Sequence, residues 1–172
     1  MTVQLHEGQF FMVPVERGQY VVGLIARMPR RGGVLLGYFF GPRRTSPPTD
    51  AWLNSLHAQQ ASFVCRFKDS SLFRGEWKLL CGLDGFERAH WPMPAFHRFD
   101  GSVTHVPGGL TVTDWRVEYD DENLIVPRAE TPAEPPDLKL GEDIAYDAQL
   151  LAKEIGQRVT EFAPSVGDAA WR

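Results

Sequence analysis

The chain has 172 residues, 43% hydrophobic and 23% charged, which suits one domain with a sizeable core and is too short for two ordinary ones. That mix excludes a disordered chain, and a formal net charge of -4 argues against a dedicated nucleic-acid binder. No segment has an apolar run long enough to span a bilayer, and the start, Met1-Thr2-Val3-Gln4-Leu5-His6-Glu7-Gly8, lacks the marks of a signal peptide, so the expectation is a cytosolic protein with no membrane association.

The first half reads as strands. Residues 9–15 form a short apolar run, closed by the turn residues Glu16, Arg17 and Gly18, which fold it back onto residues 19–27. Pro14 cannot donate to a ladder, so this strand is expected at an edge or at a bulge. Residues 20–26 are apolar on both faces, as in a barrel strand or a sheet backed by a helix. A turn over residues 28–33 leads to a third strand at 34–40. Gly23 and Gly37 lie inside strand patterns and predict bends, bulges or close approach of another backbone.

Pro42, Pro47 and Pro48 mark a loop, after which Thr49 or Asp50 can cap a short helix over 51–58 with Trp52, Leu53 and Leu56 inward. Strands follow at 61–67 and 76–81. Residues 84–109, rich in proline and aromatics, read as irregular, and 110–119 as a strand. Thr131 to Pro136 contains three prolines and reads as a linker. Ile144, Ala148, Leu151, Ile155 and Val159 then recur at steps of three or four, an amphipathic helix with Asp143 as its cap; residues from 164 onward are expected to fray. Cys65 and Cys81 sit in apolar strands and read as buried thiols, unless those strands are neighbours and meet an oxidant.

The expected fold is mainly β (α+β): a strongly bent antiparallel sheet or small barrel, with one short helix and a C-terminal amphipathic helix. Residues 1–130 form the β domain, 131–141 a proline-rich linker, and 142–161 a helix packed on the same domain.

Two segments carry a family resemblance. One is Gly8, Phe11 and Pro14, followed by Tyr20 and Gly23; the other is Trp77 and Gly82, followed by Trp91, Pro92, Pro94 and Phe96. Their order and spacing resemble the immunity protein 26 family of bacterial polymorphic toxin systems, over roughly residues 7–125. The resemblance implies a mainly β fold and neutralisation of a cognate toxin by binding. It supplies no catalytic residues, and the matching positions read as fold determinants.

The residues themselves offer little chemistry. The five histidines, His6, His57, His90, His97 and His105, show no zinc-type spacing, so no metal or other cofactor is expected. Ser70 and Ser71 near Asp69, or Cys65 with a distant histidine, sit in no nucleophile motif, so no catalytic residues are assigned. Arg30-Arg31 and Arg43-Arg44 lie at opposite ends of a strand spanning about 23 Å, which reads as two solvated turns rather than one phosphate patch. The aromatics Trp77, Phe86, Trp91, Phe96 and Phe99 could line a sugar or peptide groove or plug one end of a barrel; the plug is preferred, because exposed apolar patches are uncommon.

Charge is divided unevenly. The first 117 residues hold 13 Lys or Arg against 9 Asp or Glu, and the remaining 55 hold 5 against 13. Within the acidic part, Glu118, Asp120, Asp121 and Glu122 form the candidate partner-binding surface. A basic nuclease toxin would be steered by such a turn, which otherwise reads as a solvated loop. The functional expectation is therefore a cytosolic immunity protein that masks a cognate toxin stoichiometrically. The alternative is a small carbohydrate- or ligand-binding β module that uses the aromatic loop.

Overall fold

Three strands open the fold, β1 (Gln9–Pro14), β2 (Tyr20–Arg27) and β3 (Val34–Arg44), in a computed structural model that describes residues 4–16, 18–31 and 33–160. They run antiparallel in sequence order. The chain continues through α1 (Asp50–Asn54), β4 (Phe63–Lys68), α2 (Ser70–Phe73) and β5 (Lys78–Gly82). Then come β6 (Phe96–Val106), β7 (Gly109–Glu118), β8 (Ala129–Pro132), β9 (Gly141–Glu142), β10 (Ala145–Tyr146) and α3 (Ala148–Arg158). The protein is mainly β, with three α-helices among the described residues.

The strands make two open sheets rather than a closed barrel. One is six-stranded in the order β10-β4-β3-β2-β1-β5, the other four-stranded in the order β8-β7-β6-β9. The larger sheet is covered on both sides, which is why β1 and β2 are apolar in both registers. Phe11, Val21, Ile25, Phe39 and Phe67 face one core, closed by Leu151, Ile155 and Val159 of the C-terminal helix region. Phe10, Val22, Leu24, Leu36 and Phe40 face the other, closed by Leu53, Trp91, Phe96 and Val117.

The glycines inside the strands make room for rings. A Cβ at Gly23 would lie 2.4 Å from Cζ of Phe11, and one at Gly37 2.7 Å from Cε1 of Phe67. The close approach is thus by aromatic side chains, not by another backbone. Register shifts fall at Tyr20/Val22 and Ile25/Arg27; Gly23 follows Val22 at the first, and Gly37 pairs with Ile25 at the second. Pro14 does not put β1 at an edge. β1 has β2 on one side and β5 on the other, and β5 stops pairing at Met12, two residues before the proline.

Other expectations shift for local reasons. β6 occupies part of the stretch expected to be irregular. Phe99 pairs with Asp114 and Val103 with Val112, so β6 carries two extra residues that interrupt its ladder with β7. Residues 131–141, expected as a linker, hold the end of β8, a 3-10 turn at Pro135–Lys139 and the start of β9, all on the second sheet. The helix starts later than expected. Its cap is Asp147, whose carboxylate accepts from the N–H groups of Gln149 and Leu150, and residues 141–146 cross from the second sheet to the first. Residue 161 and the stretch from 164 lie outside the described residues.

Cys65 on β4 and Cys81 on β5 are free thiols in strands separated by β3, β2 and β1, about 19 Å at sheet spacing, so no disulfide joins them. Among the described residues no helix is long and apolar enough to cross a membrane.

Candidate functional site

The acidic turn forms where β7 leaves its sheet. Val117 and Tyr119 are buried and anchor the strand end. The turn then closes on its own side chains: Asp120 accepts from the N–H of Glu122 at 2.9 Å, and Asn123 from Ile125 and Val126 at 3.0 Å. Beside it opens a cleft of about 360 Å³, walled by Met93, Pro94, Arg116, Glu118, Asp120 and Arg128. Glu118, Asp120 and Asp121 all line this cleft, and Glu122 lies next along the turn.

Three of the four acidic residues have arginine partners within the molecule. Glu118 lies 3.0 Å from Arg128 and 3.1 Å from Arg116, and these bonds hold its carboxyl below the usual range. Asp121 accepts from Arg27 at 2.5 Å, where the Arg27 side chain is only 4% exposed. Glu122 pairs with Arg88 at 2.8 Å, and Arg88 also grips Glu7 at 2.7 Å. Burial pushes the Glu7 carboxyl up, but Arg88 and the Met28 N–H outweigh it and leave it below its ordinary value. Asp120 is exposed. The turn is therefore both a surface feature and a clamp, tying the second sheet to the ends of β1 and β2.

The aromatic loop is built inward. Trp77, Trp91 and Phe96 are 3%, 2% and 1% exposed. Trp91 packs edge-on to Tyr38 at 5.1 Å and to Phe40 at 6.1 Å, and the Tyr38 hydroxyl donates to the carbonyl of Pro92 at 2.5 Å. Trp91 and Phe96 fill the core between the sheets, Trp77 packs on Phe11 and Phe67 on the other side of the larger sheet, and none of the three presents a platform for a sugar. Phe99 alone of the group is largely exposed, and it stands on β6.

Of the arginines expected in solvated turns, Arg43 is buried, its guanidinium donating to the carbonyls of Gly156 in α3 and of Val159 just beyond it. Arg27, at the end of β2, is buried against Asp121. Arg30 and Arg31 are exposed.

One constellation escaped the sequence reading. Arg66 of β4 is buried, pairs with Asp143, donates to the Leu124 carbonyl at 2.7 Å and lies 4.0 Å from the centre of the Tyr119 ring. The Tyr119 hydroxyl donates to the same carboxylate at 2.8 Å. The signal was available: an arginine within the run Phe63-Val64-Cys65-Arg66-Phe67, buried with its strand, requires a carboxylate to meet it.

A family model described as immunity protein 26 matches residues 6–105, a span that runs from the first strand of the larger sheet into β6. No curated protein and no solved structure matches the chain.

Proposed function

The chain belongs to the immunity protein 26 family, and from that premise we propose that it neutralises a cognate bacterial toxin by stoichiometric binding in the cytosol. The family match carries this reading. Its supporting physical point is the division of labour between motif and surface. Phe11, Trp77, Trp91 and Phe96 are all buried, so the residues that mark the family build the scaffold. Recognition then falls to exposed positions, including the acidic turn at Glu118, Asp120, Asp121 and Glu122, which lies outside the matched span.

The proposed partner is a toxin domain, and a basic nuclease is the class that this turn would suit. Asp120 and the exposed part of Glu122 would steer it, because charges at an interface rim act mainly on the association rate. Glu118 and Asp121 would hold the turn in shape through Arg116, Arg128 and Arg27. A groove for sugars has no support in the geometry, since Trp77, Trp91 and Phe96, three of its five aromatics, are core residues.

The test is a titration. The C-terminal domain of the polypeptide encoded immediately upstream is mixed with the purified chain, and the mass of the complex is measured. One-to-one association with loss of the toxin's activity at one equivalent supports the proposal. Two separate species at micromolar concentration reject it.

A further inference from the structure

The β6–β7 hairpin outruns the sheet that contains it. β9 pairs with β6 only at Phe96 and His97, and β8 with β7 only from Trp115 to Glu118. Beyond those points the two strands pair with each other as far as Val106 and Gly109, and the turn at Pro107, Gly108 and Gly109 is exposed. A two-stranded ribbon is marginal in water, and bare strand edges are normally blunted by charge. Residues 101–113 contain no Asp, Glu, Lys or Arg, and six of them are Val or Thr, so the arm has strand-forming composition without that protection.

Its two edges differ. β6 carries the extra residues between Phe99 and Val103, and a bulge makes a poor template for another strand. β7 is regular over the same length. Its outward groups follow from its own bonds: the carbonyls of Asp114 and Glu118 accept from the N–H groups of Ala133 and Arg128, on the side where β8 lies. Strand parity assigns the same side to the backbone N–H and C=O of Leu110 and Val112. β8 is antiparallel to β7 and heads along this edge as far as the Ala133 bond to Asp114, but Pro135 and Pro136 cannot extend the ladder and the chain turns into the 3-10 turn. Among the described residues no strand pairs with this side of β7 between Gly109 and Asp114.

We infer that the outer edge of β7 from Gly109 to Thr113 is a docking edge that takes up an extended strand of the toxin, antiparallel to β7 and in line with β8. This rests on the immunity reading above and adds where the toxin is held. An uncharged edge of backbone donors and acceptors is complemented by a strand, and the absence of charge on the arm calls for a neutral segment rather than a basic one. Backbone pairing supplies the grip, and the acidic turn at the other end of β7 supplies steering.

The experiment uses the full chain, with the C-terminal domain of the polypeptide encoded upstream as the probe. Amide exchange in the complex should slow at Leu110 and Val112. Val112→Pro removes an outward N–H and should weaken binding about tenfold, as for a lost hydrogen bond of normal strength. A second variant replaces residues 102–111 with Asn-Gly, shortening the hairpin while keeping its base; at an unchanged melting temperature it should bind at least a hundredfold more weakly. A complex that forms without protecting Leu110 and Val112, or that tolerates the shortened hairpin, overturns the docking edge and leaves the immunity reading standing. No complex with the unaltered chain overturns both.

Discussion

Replacing Asp143 by alanine should cost about 3–5 kcal/mol of folding stability, the range for breaking a buried ion pair from one side. Its side chain is 4% exposed and that of Arg66 6%, so water cannot take over the vacated position. The carboxylate serves Arg66 and Tyr119 directly and lies 3.7 Å from Arg98. Without it the Arg66 guanidinium keeps the Leu124 carbonyl and the face of Tyr119, neither of which carries a negative charge. For a chain of this length the loss corresponds to about 6–20 °C in melting temperature. Urea unfolding and thermal melts would measure it. Arg66→Met combined with Asp143→Leu should recover much of the loss, because no unpaired charge then remains. The reasoning fails if Asp143→Ala stays within about 1 kcal/mol of the unaltered protein, or if the double variant loses the sum of the two single losses.

Trp91→Ala should cost about 3–5 kcal/mol, since the ring is 2% exposed and packs on Tyr38 and Phe40; an unchanged melting temperature would put it outside the core. Gly23→Ala places a Cβ 2.4 Å from the Phe11 ring and should cost about 1–3 kcal/mol by overpacking, read as a fall in the urea midpoint. Burial pushes the phenols of Tyr38 and Tyr146 up to about 12, while an unfolded phenol ionises near 10. The stability they contribute is whole below pH of about 10 and drains as pH rises towards about 12, so urea midpoints should fall across that window and a flat profile would contradict this. Asp121→Ala leaves the buried Arg27 short of its carboxylate and should cost about 1–3 kcal/mol, whereas Asp120→Asn with Glu122→Gln should move stability far less and slow toxin association at low salt.

The larger sheet was legible because its strands are short apolar runs punctuated by Gly18 and by Pro29 with Gly33. The double-sided apolarity of β2 announced a covered sheet, though it could not choose between barrel and layers. β6 was hidden because Asp100 and Gly101 break its run and Pro107, Gly108 and Gly109 close it, residue types that mark turns and loops. Asp143 and Asp147 are equivalent as caps in sequence, and only the buried Arg66, 77 residues earlier, draws Asp143 away. The acidic turn was visible as composition. Its partners Arg27 and Arg88 lie 94 and 34 residues away from Asp121 and Glu122, a separation that no local pattern encodes. The twin roles of the turn, clamp and steering surface, therefore became distinguishable only once the chain was folded.

The most direct test of the central claim is growth. The C-terminal domain of the polypeptide encoded upstream is expressed in bacteria from an inducible promoter, alone and together with this chain. The account predicts arrest with the domain alone and full growth with both, with the two proteins recovered as one complex. Continued arrest in the presence of soluble, folded protein would contradict it.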